Sequence, residues 1–383
     1  MSSIPGLLHV FSARRARGAF ILSVLLLLAL TACAKGNTGA TATPSATTSK
    51  PTPTATPKPG TAFTYAFARD GEIWVVQPGK QPQQISQLPS GGLSISSLAW
   101  SPDGKHLAFE RTGAGNPVDY VMDASNGTIT TLNVPSTTAT ATFGWSDNNT
   151  VIVTKQIASG DTQVWKENIN SQASSQMTQF SGTSQVEVRG QSFYYAIVDA
   201  STNQLMLHRY DINIGSEGTP VAIMPAGSST LNINWDVSTD GSYVVAGFNL
   251  TTADSNWANG FWYISTSDST NRTQIFNELS MDSFKASDPI TLRFSPDGQT
   301  IVLDTQSGTG LASEANDGSG YQQYNPQVGI SSNAGISWAP NGVSFALSSG
   351  TTPGQVTIYT LGNAASGTTL VTNASLAQWS PQS

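Results

Sequence analysis

Two histidines, His106 and His208, are all the imidazole this chain offers beyond residue 33, and no Gly-x-Ser-x-Gly run accompanies them. A serine-hydrolase triad needs a base held by a carboxylate. His106 opens a strand-like run and His208 sits inside another, beside Arg209, so both read as strand residues. Zinc wants clustered Cys and His, whereas Cys33 is the single cysteine. Glu314-Ala-Asn316-Asp317-Gly318 holds only a fragment of the oxygen ladder that calcium loops use, and reads as a plain acidic loop. No phosphate-cradling Gly-rich turn leads from a strand into a helix. The expectation is therefore no catalytic residue, no metal and no cofactor.

Contact chemistry is what remains. Three long connections, Thr251–Gly260, Glu278–Asp288 and Gln306–Gln327, bring aromatic and charged residues near one another in sequence: Asp254, Trp257, Asp282, Lys285, Asp317, Tyr321 and Tyr324. Aromatic side chains give large contact area at modest entropic cost. The last connection exceeds 20 residues, longer than purposeless loops usually run. These seven residues form the candidate binding cluster.

The elements that would carry such loops show themselves by repetition. Leu98-Ala-Trp100-Ser101-Pro102-Asp103-Gly104-Lys105 recurs as Leu292-Arg-Phe294-Ser295-Pro296-Asp297-Gly298-Gln299. Weaker copies centre on Trp145, Trp235, Trp338 and Trp379, and a motif-less third copy reads Val186-Glu-Val-Arg-Gly190, giving a spacing of roughly 41 to 59 residues. Between them lie β-branched and aromatic runs of four to seven residues, bounded by Gly, Asn, Asp or Pro, which read as strands. A period of that size with four strands per unit marks radial blades. Proline presets φ in the turn, Asp bonds back to its amides, and Gly takes positive φ. The turn thus joins the innermost strand A to strand B, and the aromatic before it wedges between blades.

Trp379 belongs to a strand A with nothing after it, whereas Phe63–Ala68, Glu72–Val76 and Gln83–Leu88 are three strands with no strand A before them. The two fragments complement one another. An all-β, seven-bladed propeller follows, closed by the C-terminal strand joining the N-terminal three, which removes two open sheet edges. Six or eight blades stay open as alternatives because the third copy lacks the motif.

The Trp-Ser-Pro-Asp-Gly-Lys-x-Leu-Ala-Phe run at 100–109, echoed at 294–303, resembles the WD-repeat-like propeller unit of the TolB family. That resemblance implies a propeller over 61–383 in an extracytoplasmic setting, and specifies no activity. The family's namesake carries an α/β domain ahead of its propeller. Here residues 34–60 occupy that place.

Residues 1–33 read as a lipoprotein signal. Arg14, Arg15 and Arg17 precede an apolar run from Ala19 to Leu30, too short for the ~20 residues of a bilayer span. Leu30-Thr31-Ala32-Cys33 resembles the lipobox, whose cysteine takes a diacylglycerol thioether. Residues 34–60 are a Thr/Pro-rich tether without an acidic residue, unable to form a core and reaching at most roughly 80 Å as polyproline II. The remainder carries 11 basic against 24 acidic residues, a formal net of −13, which disfavours phosphate backbones and hence nucleic acid. The sequence predicts a monomer, lipid-anchored through Cys33 on the outer side of a bacterial membrane or in the periplasm. Its expected role is a binding or scaffold module for a protein, peptide or cell-wall glycan. The alternative is a glycan lyase or hydrolase with two channel-mouth carboxylates roughly 5–9 Å apart.

Overall fold

The computed structural model describes residues 62–88, 94–113, 115–135, 140–182, 185–225, 228–229, 233–250, 260–279, 290–305, 311–324, 335–348 and 354–381. All helix and strand structure among them is strand, arranged as seven sheets. Blades are numbered from the N-terminus and strands lettered A to D outward from the axis. In blade 2, Ser94–Trp100, His106–Gly113, Gly115–Asp123 and Ile129–Thr131 follow one another as an antiparallel meander. Strand A is Ala141–Trp145 in blade 3, Val186–Arg189 in blade 4, Asp236–Val237 in blade 5, Ile290–Phe294 in blade 6 and Ile336–Trp338 in blade 7.

Blade 1 is composite, as the complementary fragments require. Ser375–Trp379 pairs antiparallel with Tyr65–Arg69, which continues to Glu72–Val76 and Gln83–Gln84. The register sets Tyr65 against Trp379 and Ala66 against Gln378. The ring is closed with seven blades, and seven apolar clusters fill its seven interfaces. The cluster of Tyr65, Phe67, Ala377 and Trp379 with Ala346 and Ile358 seals blade 7 to blade 1.

The repeated turn works as its residues demand. Ser101 Oγ donates to Asp103 Oδ1 at 2.8 Å and accepts the His106 amide at 2.9 Å. Gly104 takes φ 66° and donates to the Ser101 carbonyl. Ser295–Asp297 and Ser238–Asp240 repeat the pattern at 2.6 Å each. The wedge role of the aromatic is also visible. Trp100 Nε1 donates to the Gln378 carbonyl of blade 1 at 3.1 Å, and Trp145 Nε1 to the Ala99 carbonyl of blade 2 at 3.2 Å.

Two readings need correction. Trp235 is not the aromatic before its turn: Ser238 occupies the place of Ser101, so Val237 stands where Trp100 does and Trp235 lies two residues earlier. Strand A of blade 5 is split there, Ile233–Asn234 running parallel to Ile290–Thr291 of blade 6 and Asp236–Val237 pairing with Val244 and Val245. Second, Gln306–Gln327 is not one long loop. It contains strand C of blade 6, Leu311–Ala315, and strand D, Gln322–Tyr324, a polar, Ser/Gly-rich stretch whose strand alternation is weak.

Several carboxylates lie inside the rim. Asp304 in strand B of blade 6 is 4% exposed, its Oδ1 lacks a hydrogen-bond partner among the described residues, and burial pushes its carboxyl up to about 7. A folded-state pKa above the unfolded value means the folded chain holds the proton more tightly. Stability from this group is fully present below the ordinary carboxylate range and lost as pH rises through about 7. Asp304→Asn is therefore expected to gain up to roughly 4 kcal/mol at neutral pH and to flatten the wild-type decline. Melting curves across this range for both chains check it; parallel pH profiles would speak against it.

Candidate functional site

The residue just before the strand-A aromatic points to the axis, because side chains alternate along a strand and its neighbours on either side pack between blades. At this position stand Ala99, Gly144, Asp236, Arg293, Ser337 and Gln378. Gly144 is required by crowding: a Cβ there would lie 2.4 Å from Val188 Cγ2 of blade 4. Ser337 Oγ accepts the Trp379 amide at 2.9 Å, and Asp236 Oδ2 accepts the Phe294 amide at 2.8 Å. One axial position thus ties each of these two blades to its successor.

These strands enclose an axial cavity of about 710 Å³, lined by strand A of every blade. Thr239, Pro296 and Pro340 of A–B turns, and Pro381 just past strand A of blade 1, border it. The cavity therefore reaches the face of the tight turns, which lies opposite the B–C and D–A connections where the candidate loops are expected to gather. Its size suits a ligand-binding pocket.

Four charged side chains line it, all on blades 4 to 6: Glu187, Arg189, Asp236 and Arg293. Arg189 is the strut. Its Nε donates to the Val237 carbonyl at 2.7 Å and its Nη1 to the Val188 carbonyl at 2.9 Å. Nη1 also meets Glu187 Oε2 at 3.3 Å, and Nη2 binds Asp236 Oδ1. Asp236 Oδ1 further accepts its neighbour Val237's amide at 2.9 Å. Burial pushes the Asp236 carboxyl up, against the pull of Arg189; burial works against the Arg189 charge, which Asp236 and Glu187 more than restore.

Arg293 is held differently. Nη1 donates to the Leu292 carbonyl at 3.0 Å and the Trp235 carbonyl at 3.4 Å, and stands 3.6 Å from Glu187 Oε1. Gln185 Nε2 reaches the same Trp235 carbonyl and donates to Glu187 Oε1 at 3.2 Å. Trp338 and Trp379 face the cavity beside this polar group.

Of the residues singled out from sequence, Asp254, Trp257, Asp282 and Lys285 lie outside the described residues, as does Cys33. Asp317 is exposed and caps a turn through Ser319 Oγ at 2.6 Å. Tyr321 is half-buried and edge-on to Phe276, with centroids 6.5 Å apart. Tyr324 is 2% exposed, packed on Phe345 and Tyr359 with its hydroxyl 2.9 Å from Ser313 Oγ. It is a core residue, a correction that follows from its place in strand D. Glu314 of the calcium-like fragment is buried and accepts the Phe276 amide. Among the described residues no group of three or more metal-ligating side chains comes together. His106 stacks on Trp145, and His208 stacks on Tyr195 with Nδ1 3.5 Å from Glu217.

The axial residues escaped the sequence reading, although a signal was present. In the third repeat copy Glu187 and Arg189 flank Val188, which packs between blades, so both charges fall on the side of the strand that faces the cavity. The only Trp-Asp pair places Asp236 at the axial position.

No family model matches the sequence and no curated protein matches it. Solved structures do. The periplasmic gluconolactonase PpgL of Pseudomonas aeruginosa is similar at TM-score 0.53 with 12% identity, over 83% of this chain and 99% of that one. The β-propeller domain of Cps50 (Swd1) from Myceliophteria thermophila gives 0.50 and 14%, over 77% and 92%. TolB from Acinetobacter baumannii gives 0.45 and 15%, over 84% and 67%. At such identities the likeness speaks for the fold alone, and the chain's own sheets count the blades: it is a seven-bladed β-propeller.

Proposed function

We propose that this chain is a monomeric binding module, tethered by lipid on Cys33 outside a bacterial membrane, that receives a partner at the mouth of its axial channel. The observation that carries this reading is the asymmetric charge of the channel. Glu187, Arg189, Asp236 and Arg293 converge from three blades, in strands that would otherwise need only small or apolar residues there. Grouping ions at a cavity wall costs desolvation, so their retention fits recognition. The signal-like residues 1–33 and the tether at 34–60 support display away from a lipid surface.

A glycan lyase or hydrolase would need one channel carboxylate to give or take a proton. Glu187 and Asp236 both face Arg189, and Asp236 accepts two backbone amides as well. That arrangement suits fixed acceptors, and so favours binding over acid–base work.

The test is in-cell photo-crosslinking from a reactive amino acid at Thr239, exposed beside the channel, against the same group at Gln179 on the outer strand of blade 3. Capture of one defined partner from Thr239 alone is expected, together with release of the Cys33→Ser chain from the membrane fraction. Equal capture from both positions, or membrane retention of Cys33→Ser, would overturn the corresponding half of the reading.

A further inference from the structure

We infer that Arg293 is a carboxylate anchor, and that the channel takes an acidic peptide segment whose carboxylate pairs with its guanidinium; this rests on the axial channel being the binding site.

The two arginines of the cluster differ in what they have left to give. Arg189 uses all three guanidinium nitrogens, on the carbonyls of Val237 and Val188 and on the carboxylates of Glu187 and Asp236. It is consumed by holding blade 4 to blade 5. Arg293 uses Nη1 alone. Among the described residues its Nε and Nη2 have no protein partner, and its side chain keeps 28% exposure at the cavity wall. A guanidinium with a free Nε–Nη2 edge presents the fork geometry that binds a carboxylate in bidentate fashion.

The nearby anions do not fill that edge. Glu187 meets Arg293 only through Nη1, at 3.6 Å, beyond hydrogen-bond reach. Its Oε1 already accepts from Gln185 and its Oε2 faces Arg189. Both oxygens of Asp236 accept backbone amides, and Oδ1 binds Arg189 besides. An incoming carboxylate therefore displaces no protein contact at that edge and completes a fork.

The walls choose between carriers of such a group. Phe143, Ile336, Trp338, Trp379 and the turn prolines Pro296 and Pro340 give an apolar, aromatic surround to the charged wall. Apolar side chains flanking an acidic residue fit this; an acidic sugar chain could stack on the aromatic faces but would leave Ile336 and the turn prolines unmatched. The side-chain amide of Gln378, which lines the cavity, can pair with peptide groups. The outer surface, with its excess of acidic residues, works against non-specific adhesion of acidic chains, so the paired contact has to be made inside.

The test is calorimetric titration of the full propeller with acetyl-leucyl-glutamyl-leucinamide, its glutaminyl counterpart, and acetyl-leucyl-alanyl-leucine with a free C-terminal carboxylate. The glutamyl peptide is expected to bind roughly tenfold more tightly than the glutaminyl one. Arg293→Gln should erase that preference while the melting temperature stays close to wild type, and added salt should weaken it. Tighter binding of the free-acid peptide than of the glutamyl one would assign the anchor to a chain terminus instead of a side chain. Equal affinity for glutamyl and glutaminyl peptides, a preference surviving Arg293→Gln, no binding of any peptide at millimolar concentration, or binding of a uronic-acid oligosaccharide in their place would each overturn the proposal. None of these outcomes touches the Thr239 crosslinking result, so failure of the ligand chemistry is separable from failure of the channel as the binding site.

Discussion

Trp379→Ala is expected to cost roughly 3–5 kcal/mol and to lower the melting temperature by on the order of 10 °C. Trp379 is 5% exposed and sits in the one strand that joins the two ends of the ring. Its ring lies 5.2 Å from Tyr65 and 6.3 Å, edge-on, from Phe63; its amide donates to Ser337 Oγ of blade 7. One side chain thus links blade 7, the C-terminal strand and the N-terminal strands. Truncation leaves a cavity at a seam that no covalent bond closes. The same seam holds the Gln378 carbonyl that accepts Trp100 Nε1, so loosening it reaches blade 2. Thermal and denaturant unfolding of the variant check this. Trp165→Ala is the control, since Trp165 is only partly buried in strand C of blade 3 and should cost clearly less. Equal losses at the two positions would show that the closing seam has no special weight.

Lys155→Ala is expected to destabilise by roughly 3–5 kcal/mol, the cost of breaking a buried ion pair. Lys155 in strand B of blade 3 and Asp119 in strand C of blade 2 meet at 2.5 Å, with side chains 1% and 2% exposed. Around them, Glu110 accepts the Ala141 amide at 2.6 Å and Glu167 accepts the Asn133 amide at 2.6 Å. Burial pushes the carboxyls of Glu110, Asp119 and Glu167 upward; Lys155 opposes it at Asp119 and Glu110, and Asp119 itself adds to it at the two glutamates. Removing the lysine takes away the cation that opposes burial at Asp119 and Glu110. The double variant Lys155→Met/Asp119→Leu should recover most of the loss, because an apolar pair of similar volume carries no desolvation cost. Chemical unfolding of the three chains measures how much of the loss is recovered. A double variant as unstable as Lys155→Ala would mean that volume, and not charge, governs this interface.

The fold was legible because its signals are local and repeated. Ser101-Pro102-Asp103-Gly104 and Ser295-Pro296-Asp297-Gly298 specify a turn through their own side chains, wherever the chain goes next. Strand A at Trp379 and the strands from Phe63 onward are complementary parts of one blade, and they pair with one another. Where local signal was weak, placement slipped. From sequence Trp235 looks like the aromatic of strand A because nothing local separates it from Val237; the Ser238–Asp240 hydrogen bond and the pairing of Val237 with Val244 fix the register. Tyr324 looks like a loop residue in the sequence, because a three-residue strand among Gly, Ser and Gln has no alternation to reveal a buried face.

The binding wall was another matter. Arg189 and Asp236 are 47 residues apart and Asp236 and Phe294 are 58 apart, so their meeting depends on how many blades the ring has and how each strand A is turned. The amino-acid order by itself determined a strand-rich repeat, its turns, its closing partner strands and an acidic excess, since each follows from bonding between near neighbours or from counting. Tertiary structure alone decided which charges share the axis, which arginine is spent as a strut and which keeps a free edge. Charge–charge energy depends on distance and burial, and for residues on different blades both are set only when the sheets close around a common centre.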